Sequence, residues 1–153
     1  VDAAARQQLV EETEQAWQAL AGLDARYEKV LRARFDLASR ALGGDAQARQ
    51  TLLDGLQQNL ERRLELCLQT EIAAGIDSPA EFAQARMQYQ VSRLADAMHH
   101  QLEEPHSRHE RLRELQMAWY QAGPVPRASQ DDIEARFERA LGAIGSDAAV
   151  IPA

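Results

Sequence analysis

Apolar side chains recur three or four residues apart along most of the chain, the spacing that places them on one face of an α-helix. The longest such stripe lies in the middle of the chain, between Leu52 and Ile72. No stretch shows the sustained apolar–polar alternation of a half-buried strand. The pattern therefore predicts an all-α fold, with six helices joined by short turns into three antiparallel hairpins.

Helix ends are marked by glycines and by short polar capping motifs. A glycine follows each of the first three stripes, where it commonly ends a helix. Ser78 with Glu81, and Ser107 with Glu110, have the spacing of capping boxes and are predicted to start the fourth and fifth helices. The sixth helix is predicted to begin at Ser129. The glycines that end the first three helices are Gly22, the pair Gly43 and Gly44, and Gly75.

The same signals predict how the chain is divided. A first helical hairpin is expected over residues 1–44, and a central long hairpin over 45–104. A second hairpin of the first type is expected over 105–145, followed by a flexible tail at 146–153. The third and fourth helices are expected to be the longest. The chain begins with Val1, so we interpret it as a piece of a longer cytoplasmic protein.

An internal duplication is suggested by two equally spaced pairs of aromatic residues. Trp17 precedes Phe35 by the same interval that separates Trp119 from Phe137. Each pair spans a glycine-containing break followed by a helix, which predicts a repeated helix–turn–helix with the two rings buried and packed across the hairpin. The remaining pairs at the same offset are Ala16 and Ala118, Leu31 and Ile133, Ala33 and Ala135, Arg34 and Arg136, Ala38 and Ala140, and Leu42 and Ile144.

An arginine precedes the phenylalanine in both copies. Arg34 stands before Phe35, and Arg136 before Phe137. Such an arginine either clamps a carboxylate across the hairpin or faces a binding partner, because its planar guanidinium suits both roles. The clamp is the structural interpretation and the partner contact is the functional one.

The second copy carries a motif that resembles a known family. Residues 115–127, with Trp119, Gly123 and Pro126, are followed by the Arg136–Phe137 pair. This order resembles the repeat of the bacterial "domain of unknown function 349" family, and residues 66–87 resemble the C-terminal part of its longer members. The resemblance implies tandem helical repeats and no particular activity. The first copy departs from the motif, since it lacks the prolines and Gly22 comes one place late.

Composition narrows the classes of function. The formal net charge is −7, which argues against nucleic-acid binding through the overall field but leaves room for a local basic patch. The single cysteine, Cys67, lies among leucines and is expected to be a core residue. No apolar stretch approaches the roughly 20 residues of a membrane span. We expect no cofactor, no membrane association and no small-molecule substrate.

All four histidines lie in one short region, residues 99–109. His106 and His109 are one helical turn apart, and His99, Glu103 or Glu104 could complete a metal site. Pro105 interrupts the helix that would align these groups. A solvated turn with titrating histidines is therefore favoured, with no metal, although an anion or a metal stays an open alternative.

Two segments are candidate contact surfaces. Arg108 and Arg111 lie near the start of the fifth helix, where cations either are neutralised by nearby glutamates or mark an anion or nucleic-acid site. Pro124 and Pro126 stiffen the break before the sixth helix, and Arg127 follows with a charge suited to a carboxylate or phosphate. The alternative for this break is that its prolines only set the turn angle.

No catalytic constellation is recognisable, so the chain is predicted not to be an enzyme. The leading hypothesis is a helical repeat module that binds another macromolecule, most simply a protein. The alternative is a nucleic-acid-associated module that uses a local basic stripe. The residues of that stripe would be Arg62, Arg63, Arg108, Arg111, Arg113 and Arg127.

Overall fold

A computed structural model describes residues 2–20, 22, 24–99 and 107–147 of the chain. Throughout these residues the regular structure is helical and no strand is present, which confirms the predicted all-α class. None of the helices described is long and apolar enough to cross a membrane. The elements are α1 (Ala3–Ala19), α2 (Ala25–Leu42), α3 (Ala46–Ala74), a 3₁₀ turn (Ala80–Phe82), α4 (Ala83–His99), α5 (Arg108–Ala122) and α6 (Arg127–Asp147).

The helix lengths differ in part from expectation. α3 is the longest of the described helices at 29 residues, as predicted. Over the described residues α4 has 17 residues and is shorter than α6 with 21, so the expected length of the fourth helix is not found there. The reason is local, because an extended segment and the 3₁₀ turn take up residues 76–82 before α4 begins. Most of the histidine-rich turn, residues 100–106, lies outside the described residues.

The glycines that end α2 and α3 act as predicted. Gly44 and Gly75 have φ angles of +99° and +68°, the left-handed region that a side chain rarely adopts. The start of α3 is capped by Asp45, whose Oδ1 accepts a hydrogen bond from the Ala48 amide at 2.9 Å. The capping box of Ser107 and Glu110 at the start of α5 is confirmed, with both reciprocal bonds present.

Two of the predicted helix starts are wrong. Ser78 does not cap a helix, because its hydroxyl donates a hydrogen bond to Glu71 at 2.6 Å. Ser129 lies inside α6, which begins at Arg127, and its amide donates to the Pro126 carbonyl at 2.9 Å. In both places a proline directly precedes the helical segment, Pro79 before the 3₁₀ turn and Pro126 before α6.

The chain forms two compact units, residues 1–56 and 57–153, with the boundary inside α3. In the first unit Trp17 and Phe35 stack with ring centroids 5.8 Å apart. Both rings are half-buried and not buried as predicted, because only Ala48 is buried among the described residues of this unit. The three-hairpin boundaries are finer than this division and stay a prediction.

The second unit contains the main apolar core. Trp119 and Phe137 stack almost parallel, with ring centroids 4.0 Å apart and an interplanar angle of 4°. Both are buried, which confirms the predicted packing of α5 against α6. Cys67 is fully buried beside them, as expected. The other buried members of this core are Leu66, Leu115, Val125 and Ile133.

Replacing Trp119 with alanine should strongly destabilise the second unit. The substitution removes a stacked ring and leaves a cavity in the core, which typically costs about 3–5 kcal/mol. Tyr120→Ala is the matched control, since that neighbouring ring is 76% exposed and its loss should change stability by less than about 0.5 kcal/mol. Urea denaturation followed by circular dichroism would measure both. Equal effects for the two variants would contradict the core assignment.

Candidate interaction surface

The break between α5 and α6 is fixed by packing. Val125 is only 6% exposed and belongs to the core. The carbonyl of Pro124 accepts a hydrogen bond from the Asn59 side chain on α3 at 2.7 Å. Pro126 is half-buried, and Gly123 is buried with a φ of +88°. The segment is therefore anchored to α3 and sets the turn, so mainly Pro124 and Arg127 face outward.

The predicted binding residues do not form one site. Arg127 is exposed at the first position of α6, whereas Arg108 and Arg111 lie at the start of α5. These starts are separated by the length of α5, roughly 22 Å at 1.5 Å per residue. The guanidinium of Arg111 contacts Glu114 at 3.3 Å and Gln69 at 3.4 Å. The side chain of Arg108 lies outside the described residues.

Two further members of the proposed basic stripe, Arg62 and Arg63, are neutralised by local partners. Arg62 pairs with Glu65 at 2.8 Å on the surface of α3. Arg63 lies over the Trp119 ring, 4.5 Å from its centroid, and 3.6 Å from a Glu134 carboxylate oxygen. Charges that are paired in this way contribute little net field to attract a polyanion.

A buried ion pair joins α3 to α6. Arg136 donates two parallel hydrogen bonds to Glu71, from Nε at 2.6 Å and from Nη2 at 2.8 Å. Arg136 is 9% exposed and Glu71 is not exposed at all. The face of the guanidinium lies 4.1 Å from the centroid of the Phe82 ring. The carboxylate clamp predicted for Arg136 is thus present, but its carboxylate lies on α3 and not across the α5–α6 hairpin.

The ion pair extends into a network that holds the start of α4. The Ser78 hydroxyl donates to Glu71 and accepts a hydrogen bond from Arg86 Nη1 at 2.9 Å. The same nitrogen donates to the Ile76 carbonyl at 2.7 Å. Sequence reasoning missed Glu71 and Arg86 as structural residues. The available signal was a carboxylate at Glu71 beside the apolar stripe of α3, which requires a buried cation as its partner.

The electrostatics of the network keep Glu71 ionised. Burial by itself raises the pKa of this carboxyl, but the hydrogen bonds from Arg136 and Ser78 outweigh burial and lower the pKa below its ordinary value of 4.5. Burial similarly opposes the charge of Arg136, while the bonds to Glu71 raise the pKa of the guanidinium overall. Both groups are therefore charged at neutral pH. Their role is to hold α3, α6 and the start of α4 together.

A groove lies beside this network in the second unit. Its volume is about 640 Å³, and its apolar wall includes Leu60, Leu64 and Phe82. Charges of both signs line the remainder, including Asp132 and Arg139. Arg139 is exposed, and its guanidinium lies 3.7 Å from the Glu71 carboxylate. The mixed lining provides no net preference for a cationic or an anionic ligand.

Among the described residues of the second unit, the longest row of exposed apolar side chains is on α4. Four large apolar side chains recur along it at helical spacing, and each is more than half exposed. They are Met87 at 66%, Val91 at 59%, Leu94 at 66% and Met98 at 86%. We call this set the α4 stripe.

The remainder of α4 has few contacts that would bury it. Arg86 and Tyr89 are the half-buried residues among its described side chains, and every side chain from Gln90 to Met98 is exposed. An isolated helix of this length is only marginally stable in water, and most helices are stabilised by packing an amphipathic face. Contiguous exposed apolar side chains of this kind mark sites of interaction.

Groups that could support catalysis or hold a metal are not assembled in the described part of the chain. Burial raises the pKa of the Cys67 thiol to about 12, so it is not a nucleophile at neutral pH. No three histidine, cysteine, aspartate or glutamate side chains among the described residues are placed to share a metal ion. The histidine-rich candidate site falls largely outside those residues, with neither His106 nor the side chains of His99 and His109 described.

Comparisons of the chain with known protein families, curated proteins and solved structures gave no match. Membership of the "domain of unknown function 349" family therefore stays a prediction that is supported by its motif residues alone.

Glu71→Gln should destabilise the second unit and reduce its sensitivity to acid. At neutral pH the change leaves Arg136 buried without a counter-charge. This should lower the free energy of unfolding by about 3–5 kcal/mol. Because the folded pKa of Glu71 is lowered, its contribution is present above the ordinary pKa and is lost as pH falls through the lowered value. Urea midpoints measured from neutral to acidic pH should therefore fall less steeply in the variant.

Glu65→Gln is the matched control for this prediction. Glu65 is paired with Arg62 on the same helix but is about half exposed. Surface pairs of this kind are worth less than about 1 kcal/mol. If the urea midpoint of Glu71→Gln falls with decreasing pH as steeply as that of the wild type, the buried pair does not govern acid stability.

Proposed function

We propose that the chain is a non-enzymatic helical repeat module of a bacterial protein, and that it binds protein through the α4 stripe. The observation that carries the proposal is the exposure of Met87, Val91, Leu94 and Met98 along one side of one helix. The bacterial origin and the repeat character rest on the motif around Trp119. The stacked Trp–Phe pair in each unit supports the repeat.

The energetics of the stripe suit a reversible protein contact. Burying one large apolar side chain is worth about 1.5–3 kcal/mol, so the four together would contribute roughly 6–12 kcal/mol. Association costs about 4–15 kcal/mol in lost freedom, which leaves a moderate net affinity once the partner's own apolar surface is added. Two of the four residues are methionines, whose flexible side chains adapt to the shape of a partner.

Protein is favoured over nucleic acid as the partner for electrostatic reasons. The side chains of the α4 stripe carry no charge, and the chain as a whole carries a formal charge of −7. Arg62, Arg63 and Arg111 are each paired with a glutamate. Binding to a polyanion would need several unpaired cations on one surface.

A photoreactive amino acid placed at position 94 would test the proposal. With the probe in place of Leu94, we expect crosslinks to protein in living cells, because this side chain lies in the middle of the stripe. The matched control is the same probe at Ser92, which is exposed on another side of α4. A third probe at Arg127 tests the break before α6. Crosslinked products would be identified by mass spectrometry with and without nuclease treatment.

Strong crosslinking to protein from position 94, with little from Ser92 or Arg127 and no effect of nuclease, is the expected result. Crosslinks from Arg127 alone would place the contact at the predicted break between α5 and α6. Products from position 94 that disappear with nuclease, or no products from it at all, would contradict the proposed function.

A further inference from the structure

The α4 stripe has the spacing of a coiled-coil seam. Coiled coils repeat every seven residues, labelled a to g, with apolar side chains at a and d. Successive intervals of four, three and four residues place Met87 and Leu94 at d, and Val91 and Met98 at a. A β-branched residue at a combined with leucine at d, as in Val91 and Leu94, favours two-stranded pairing.

The positions that flank the seam carry no charge. In coiled coils the e and g residues lie beside the seam and select partners by attraction or repulsion. Here these positions hold Gln88, Gln90, Ala95 and Ala97. A helix with charged e and g residues would require a complementary partner, whereas this one meets an identical helix without like-charge repulsion.

The back of α4 orients the seam outward. Arg86 and Tyr89 occupy positions c and f, on the side opposite the seam, and are the half-buried described residues of the helix. Arg86 fastens that side through its bonds to Ser78 and the Ile76 carbonyl. The stripe is therefore presented without any rearrangement of the second unit.

We propose that the partner of the α4 stripe is a second copy of this chain, with the two α4 helices paired in a two-stranded coiled coil. The inference rests on the proposed function, since it names the occupant of the same surface. An interface of one element with its own copy is self-complementary, which the uncharged and evenly apolar seam satisfies.

Charged substitutions in the seam test the pairing. The paired variant Val91→Glu with Leu94→Glu places carboxylates at a and d, and should raise the dissociation constant of the dimer by roughly a hundredfold or more. The control variant Ala85→Glu with Ser92→Glu adds the same charge at two b positions, outside the seam. Sedimentation equilibrium over a dilution series would show wild type and control shifting from the 17.1 kDa monomer toward twice that mass. Circular dichroism would establish that both variants fold.

A charge exchange at the flanking positions gives an independent result. One variant combines Gln88→Glu, Gln90→Glu, Ala95→Glu and Ala97→Glu. A second combines Gln88→Lys, Gln90→Lys, Ala95→Lys and Ala97→Lys. Each alone should sediment as a monomer, because its copies repel, and an equimolar mixture should sediment as a dimer. This expectation holds for parallel and antiparallel helices alike. The wild-type dimer should also persist or strengthen in high salt, because salt screens the repulsion between two acidic chains.

Failure of this inference differs from failure of the proposed function. A wild-type chain that stays monomeric at all concentrations, while position 94 crosslinks to a different protein, overturns self-pairing and leaves protein binding intact. A dimer that is weakened equally by both glutamate pairs, or a charge-exchange mixture that stays monomeric, also overturns self-pairing through α4. Loss of all protein crosslinks from position 94 removes both proposals.

Discussion

The buried pair of Arg136 and Glu71 is the interaction on which the arrangement of the second unit depends. A carboxylate that is fully removed from water is tolerated only if a cation satisfies it, so α6 must bring Arg136 to one point on α3. The bidentate geometry fixes direction as well as distance, and the Ser78 hydroxyl completes the coordination of the carboxylate. The Trp119–Phe137 stack supplies apolar stabilisation, while the ion pair specifies which surfaces meet.

The network has a second consequence at α4. Because Ser78 is committed to Glu71, it does not cap a helix, and residues 76–79 stay extended before the 3₁₀ turn. Arg86 then binds to the same serine and determines which side of α4 faces its own unit. The outward direction of the α4 stripe thus follows from a carboxylate on a different helix. Stability and the presentation of the candidate surface are coupled through one buried group.

Much of this fold is predictable from local sequence. Helical periodicity and the left-handed glycines identify the elements, and the equal spacing of the aromatic residues is enough to predict the two Trp–Phe stacks. The capping box at Ser107 is local too, since its partners are three residues apart. The role of Ser78 was not predictable from its capping motif, because its true partner, Glu71, belongs to another helix.

The candidate surface was harder to predict, for a physical reason. Periodicity shows that Val91 and Leu94 share one side of a helix, but a buried side and an exposed seam have the same pattern. Only the positions of the other elements reveal that this side is uncovered. The break at Pro124 illustrates the reverse case, where residues that suggest a rigid contact loop are held by Asn59 and by the insertion of Val125 into the core.

The enclosure of Cys67 bears on how the protein responds to oxidants. Peroxide and other electrophiles react with the thiolate, and a fully buried sulfur with a pKa of about 12 has almost none at neutral pH. The Cys67 thiol therefore should not react with thiol reagents while the chain is folded. Modification of this sulfur would instead report each opening of the core, so its labelling rate is a built-in measure of how often α3 and α6 separate.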